Sequence, residues 1–71
     1  MSDPDPAKAD PFAASRPRLV GLAYRLLGTM AEAEDIVGDV AEQWLRADRS
    51  AIDRPGAWLT TVTTRRAIDV L

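Results

Sequence analysis

Pro55-Gly56-Ala57-Trp58-Leu59-Thr60-Thr61-Val62-Thr63-Thr64-Arg65-Arg66-Ala67-Ile68-Asp69-Val70-Leu71 is the stretch on which the fold class turns. Its centre, Thr60 to Thr64, is β-branched throughout, and taken alone such a run argues for a strand. The flanks argue otherwise. Neither Pro-Gly-Ala-Trp before the run nor Arg-Arg-Ala-Ile-Asp after it shows the period-two alternation of a strand. Pro55 has a fixed φ suited to the first turn of a helix, and Asp53 stands where a cap could sit. Trp58, Leu59, Val62, Ala67, Ile68 and Leu71 supply the apolar content. The stretch therefore reads as a helix over 55–71, and the chain as all-α.

Upstream, Asp48 to Arg54 is a polar connector with one apolar residue, Ile52. Before it, Thr29-Met30-Ala31-Glu32 is a capping-box sequence, and Glu32, Glu34 and Asp35 lie where they favour the helix dipole. This helix is expected over 30–47, with an apolar stripe of Ala33, Ile36 or Val37, Val40, Trp44 and Leu45. Gly38 in its middle costs about 1 kcal/mol relative to Ala. Either something packs close there or the helix tolerates a weak point. The first helix is expected over 15–27, with Pro17 in its first turn and Leu19, Leu22, Ala23 and Leu26 at i, i+3, i+4 and i+7. Gly28 supplies the left-handed stop. Residues 1–14 carry three Asp-Pro pairs and no apolar periodicity, so a disordered leader ending near Pro11 or Ser15 is expected. The expectation is three helices around one small core, in a chain that continues beyond Leu71.

Seventy-one residues allow a single small core. The 46% hydrophobic and 28% charged content is an ordinary globular balance. There is no cysteine and no histidine, which removes disulfides, thiolate metal sites, the cysteine nucleophile and the usual general base. The five acids from Glu32 to Glu42 lie on an open helix face with no histidine and no sign of a pocket, and Glu32 and Glu34 are explained by capping and dipole effects rather than by an acid–base pair or a metal. A non-enzymatic module without cofactor or metal is expected. Met1-Ser2-Asp3-Pro4 lacks the regions of a signal peptide, and no apolar run approaches the ~18 residues needed to span a bilayer. A soluble, cytoplasmic protein is expected.

The net charge of −2 conceals a segregation. Residues 1–10 hold the whole excess, and the rest balance, with Arg16, Arg18 and Arg25 first, then the acidic stretch, then Arg46, Arg49, Arg54, Arg65 and Arg66. Two different partner faces follow from this arrangement. Asp35, Asp39, Glu42 and Arg46 recur at i, i+4, i+7 and i+11, a polar stripe opposite the apolar one. It suits a basic partner helix, or is simply a solvated face with local i,i+4 support. Arg49, Arg54, Arg65 and Arg66, with the threonine run, could form a basic, hydroxyl-rich surface for a single nucleic-acid strand. The bland alternative is scattered surface arginine. Trp44 and Trp58 lie on apolar stripes and read as core, and Tyr24 as a core-edge residue with its hydroxyl outward.

Three motifs in register carry a family resemblance. Arg16-Pro17-Arg18-Leu19-Val20-Gly21-Leu22-Ala23-Tyr24-Arg25-Leu26-Leu27-Gly28 resembles the opening helix of extracytoplasmic-function (ECF) sigma factors. Ala33-Glu34-Asp35-Ile36-Val37 followed by Asp39 resembles their second helix. Pro55-Gly56-Ala57-Trp58-Leu59-Thr60-Thr61-Val62 with Ala67-Ile68-Asp69 resembles the helix that opens and reads the promoter. The resemblance spans residues 16–71 and is nearest to the ECF group that carries a SnoaL-like C-terminal extension.

The resemblance implies a sigma-2 domain, a three-helix module of a bacterial transcription initiation factor. It implies docking on the clamp helices of the RNA polymerase β′ subunit, by Asp35, Asp39, Glu42, Gln43 and Arg46. It also implies recognition and melting of the promoter minus-ten element through its non-template strand, by Arg49, Arg54, Thr61, Thr64 and Arg65. The connector from Asp48 to Ala57 would supply a pocket for an unstacked base. Three places differ from the family's usual pattern. Gly38 replaces a usual Gln, Ala41-Glu42-Gln43 replaces a Trp- or Phe-Leu-Arg, and Arg66 stands where an apolar residue is common. These differences motivate a second expectation: a sigma-2 fold with altered docking, binding an anti-sigma protein or self-associating; a regulatory C-terminal extension is a further partner that the resemblance implies.

Overall fold

The computed structural model describes residues 10–71 and consists of α1 (Pro11–Leu27), α2 (Met30–Arg46), a 3-10 turn (Arg49–Ala51) and α3 (Pro55–Val70). The β-branched run lies inside α3, so the flanking signals outweigh the local strand preference. Each of the three helix pairs packs together. The end of α2 returns to the start of α1, because the Trp44 indole N–H donates to Asp10 Oδ1 at 3.2 Å. It also meets the start of α3, where the Trp44 and Trp58 ring centroids stand 5.7 Å apart and are tilted by 54°. Consecutive helices therefore run antiparallel, as short links require.

α1 starts four residues before Ser15, at Pro11, and the expected leader of 1–14 is corrected over Pro11–Ala14. The pair Asp10-Pro11 is a cap followed by a first-turn proline. Asp10 Oδ1 accepts the Phe12 backbone N–H at 2.9 Å, and Phe12 packs against the core. The remainder of that expected leader, residues 1–9, lies outside the described residues. Pro17 is consequently inside α1 rather than in its first turn. It removes one helical N–H, and the carbonyl left over belongs to exposed Ala13, where water can reach it. Gly28 ends α1 at φ 86°, a left-handed conformation that glycine adopts without a Cβ penalty, and its N–H donates to the Tyr24 carbonyl at 2.8 Å.

Thr29 caps α2 by accepting the Glu32 N–H at 3.2 Å, the Thr29 half of the expected capping box. The helix buries Ala33, Ile36, Val37, Val40 and Trp44. Leu45, expected on that stripe, is 69% exposed; one residue past Trp44, it sits about 100° around the helix from the buried line. Gly38 is exposed, and a Cβ there would meet nothing within 4 Å, so the weak-point alternative holds and the packing one does not. α3 is preceded by Arg54, which makes no side-chain capping bond, in place of the expected Asp53 cap.

The core consists of Leu19 and Ala23 from α1, the α2 stripe, and Leu59 with Ala67 from α3. Phe12, Val20, Leu27, Ile52, Trp58 and Val62 pack around it. The alanines let the helix backbones approach closely. The centre of α3's buried line is Thr63, fully enclosed between Leu59 and Ala67. Ile68 and Leu71, expected as apolar content, are instead 56% and 74% exposed.

Candidate functional site

The three-helix packing turns the expected functional residues onto different faces. On α2, Asp35, Glu42 and Arg46 are exposed, while Asp39 and Gln43 are half-buried. The reason is the neighbouring helix. Arg66 Nη2 donates to Asp39 Oδ2 at 2.8 Å, forming an ion pair between α2 and α3. Both side chains stay 42–47% exposed, so solvent screens the pair and it contributes at most about 1 kcal/mol. Its consequence is positional, since it takes one acid out of the stripe. Arg66, grouped in the sequence with Arg65, lies on the α2 side of α3.

The expected nucleic-acid residues divide into two groups. Thr61, Thr64 and Arg65 come together with Thr60, Ile68 and Asp69 to line an open groove of ≈ 380 Å³ along α3. Thr61 and Thr64 contribute hydroxyls, Arg65 a guanidinium, and Ile68 exposed apolar surface. This is a surface able to contact phosphates and base faces. Arg49 and Arg54 lie apart, near the start of α3. Eleven residues separate Arg54 from Arg65, about 16 Å of helix rise. The Arg49 guanidinium carbon lies 5.6 Å from the Trp44 ring centroid, a cation–π contact that holds the 3-10 turn over the core. Asp48 caps that turn, accepting from the Ser50 N–H at 3.2 Å and its hydroxyl at 2.5 Å. Among the described residues, no group of three or more acids is placed to hold a metal ion.

A further residue enters from α1. Arg18 reaches across to α3, where Nη1 donates to Thr60 Oγ1 at 2.5 Å and Nη2 to the Gly56 carbonyl at 3.4 Å. The Thr60 hydroxyl donates to that same carbonyl at 2.9 Å, four residues back along the helix. A second groove, ≈ 320 Å³, is lined by Arg18, Gly21, Leu22, Arg25 and Thr60. Thr60 is common to both grooves.

The family model of sigma-70 region 2 matches residues 11–71, beginning at the first residue of α1. The chain belongs to the sigma-70 region 2 family.

Its similarity extends to individual ECF sigma factors. The ECF RNA polymerase sigma factor SigJ of Mycobacterium tuberculosis (strain ATCC 25618 / H37Rv) is 52% identical over 62 residues, covering 84% of this chain and 19% of that protein. The probable ECF RNA polymerase sigma factor SigI of Mycobacterium tuberculosis (strain CDC 1551 / Oshkosh) is 41% identical over 69 residues, covering 97% of this chain and 23% of that protein. The chain thus spans about a fifth of the length of these curated relatives. No solved structure matches it. No helix among the described residues is long and apolar enough to cross a membrane.

Within this region 2 chain, sequence reasoning missed three long-range side-chain contacts. Asp10 links the start of α1 to Trp44, and its signal was the Asp-Pro pair, which marks a cap as readily as a break. Arg18 on the α3 surface and Arg66 opposite Asp39 join residues 42 and 27 positions apart. No local pattern encodes such pairings.

Proposed function

We propose that this chain is the sigma-2 module of an ECF sigma factor, docking on the RNA polymerase β′ clamp helices and recognising and melting the promoter minus-ten element. In this reading Asp35, Asp39, Glu42, Gln43 and Arg46 of α2 form the polymerase-facing surface. Thr61, Thr64 and Arg65 contact the non-template strand, and Arg49 and Arg54 flank the connector that receives an unstacked base. The observation that carries the reading is the separation of faces in a region 2 fold. No α2 residue lines the threonine–arginine groove of α3, which supports separate docking and DNA contacts in this reading. Charge complementarity then sets register and association rate with a basic clamp helix.

Calorimetric titration of the chain against an isolated β′ clamp-helix fragment tests the docking half. Micromolar binding that weakens on Asp35→Ala and Glu42→Ala supports it, and absence of binding by a folded chain refutes it. Specific protection of single-stranded minus-ten DNA in the presence of core polymerase tests the other half.

A second reading rests on the Asp39–Arg66 pair. With one docking acid engaged by Arg66 at the surface, the rest of the α2 face would serve an anti-sigma protein or a second copy. Sedimentation of the chain alone, and in a mixture with a candidate anti-sigma protein, separates these outcomes.

A further inference from the structure

We propose that Arg18 and Arg25, with the bare backbone at Gly21 between them, form a phosphate cradle on α1 that holds the sugar-phosphate backbone of the DNA strand lying along α3. The inference rests on the reading of α3 as a promoter-binding surface, and it extends that surface onto a helix to which neither the family resemblance nor the charge pattern assigned DNA contact.

Four observations carry it. First, Arg18, Gly21, Leu22 and Arg25 fall at i, i+3, i+4 and i+7, so one face of α1 carries two arginine positions about 10 Å apart in helix rise. Second, Arg18 is pre-positioned. Its bonds to Thr60 Oγ1 and the Gly56 carbonyl employ two of its five N–H donors and fix the plane of the guanidinium. The remaining donors stay with an exposed side chain. A held guanidinium loses little further freedom on meeting a phosphate, and its fork matches the phosphate oxygens.

Third, packing does not account for Gly21. A Cβ at that position would meet nothing within 4 Å, as at Gly38, but Gly21 differs in lying between two arginines of one groove. Its absent side chain leaves the floor of the groove open, which lets another backbone approach closely. Fourth, no acid lines this groove, and Thr60 joins it to the α3 groove, where Arg65 adds a third guanidinium and Asp69 is the single acid. Three arginines and one acid across the two grooves leave a net positive surface that fits a polyanion strand. The helix dipole accounts for a cation in the last turn of α1, but not for its alignment with Arg18 across an acid-free groove.

The test is fluorescence anisotropy of a labelled single-stranded minus-ten oligonucleotide titrated with the full chain between 20 and 200 mM salt, for the parent and four variants. Arg25→Gln reports on the cradle without breaking any hydrogen bond of the fold, and Arg18→Gln reports on it from the other wall. Arg65→Gln reports on the α3 surface, and Arg16→Gln, outside both grooves, removes the same charge as a control. Each lost phosphate contact lowers the salt slope by about 0.7, which corresponds to about fivefold weaker binding at 0.1 M salt. Arg25→Gln and Arg18→Gln should show that loss equally on different sequences, beyond any effect of Arg16→Gln. Equality of Arg25→Gln and Arg16→Gln, with Arg65→Gln impaired, overturns the cradle and leaves the promoter reading standing. Failure of the parent chain to bind, or an unaffected Arg65→Gln, overturns both. Loss of polymerase affinity in Arg25→Gln with unchanged DNA affinity overturns the cradle in favour of an acidic protein segment.

Discussion

Replacing Thr63 by Val should stabilise the protein, and the reason lies in a single oxygen. Thr63 is fully buried on α3 between Leu59 and Ala67, and its Oγ1 has no hydrogen-bond partner among the described residues. A buried hydroxyl without a partner costs about 1–3 kcal/mol relative to one that is satisfied. Valine substitutes a methyl group for that hydroxyl at nearly the same shape and shares the χ1 stiffness of threonine, so neither a cavity nor a clash arises. The expected gain is about 1–2 kcal/mol. In a domain of this size each kcal/mol raises Tm by about 4–8 °C. Thr63→Ser provides the converse, keeping the hydroxyl and losing the methyl, and should cost about 1 kcal/mol. Urea unfolding followed by tryptophan fluorescence measures both, since Trp44 and Trp58 lie in and beside the core. The midpoint should move while the m-value stays fixed. An unchanged or lower midpoint for Thr63→Val would refute the reasoning. It would mean that the hydroxyl finds a partner in solution, most simply the carbonyl of Leu59 one turn back.

Three further outcomes follow from the same geometry. Asp10→Ala removes the cap of α1 together with the partner of the Trp44 indole, so unfolding free energy should fall by about 1–2 kcal/mol and Trp44 emission should shift to the red. Gly38→Ala meets open space on an exposed helical turn and should stabilise by about 0.5–1 kcal/mol; thermal melts that fall instead would show a packing constraint there. Arg66→Leu releases Asp39 and should strengthen clamp-helix binding in calorimetry while leaving stability within about 0.5 kcal/mol, because the pair is solvent-screened. Weaker binding in that variant would show that the ion pair positions Asp39 for docking rather than competing for it.

The face assignment of α2 illustrates how far sequence patterning reaches. The period of its apolar residues located the buried line from Ala33 to Trp44, because burial on one side of a helix imposes that period directly. Its polar face was equally visible, yet Asp39 on that face is held by α3. In α3 the pattern was weaker, since a threonine occupies the middle of the buried line and Ile68 and Leu71 are on the surface. A small core can enclose Thr63 because the close approach of three helices leaves room for a side chain of that volume, whatever its polarity.

Sequence alone therefore determined the helical class, the turn at Gly28, the proline start of α3 and the core line of α2. Each is dictated by local physics: the φ freedom of glycine, the fixed φ of proline, side-chain capping and helical periodicity. Tertiary structure alone decided how the charged side chains are held. Arg18 is bound to α3, Arg66 is turned towards Asp39, and Asp10 is shared between α1 and Trp44, across separations of 42, 27 and 34 residues. Such pairings depend on where helix packing brings side chains together in space, and a charged side chain carries no record in the sequence of the distant group that will hold it.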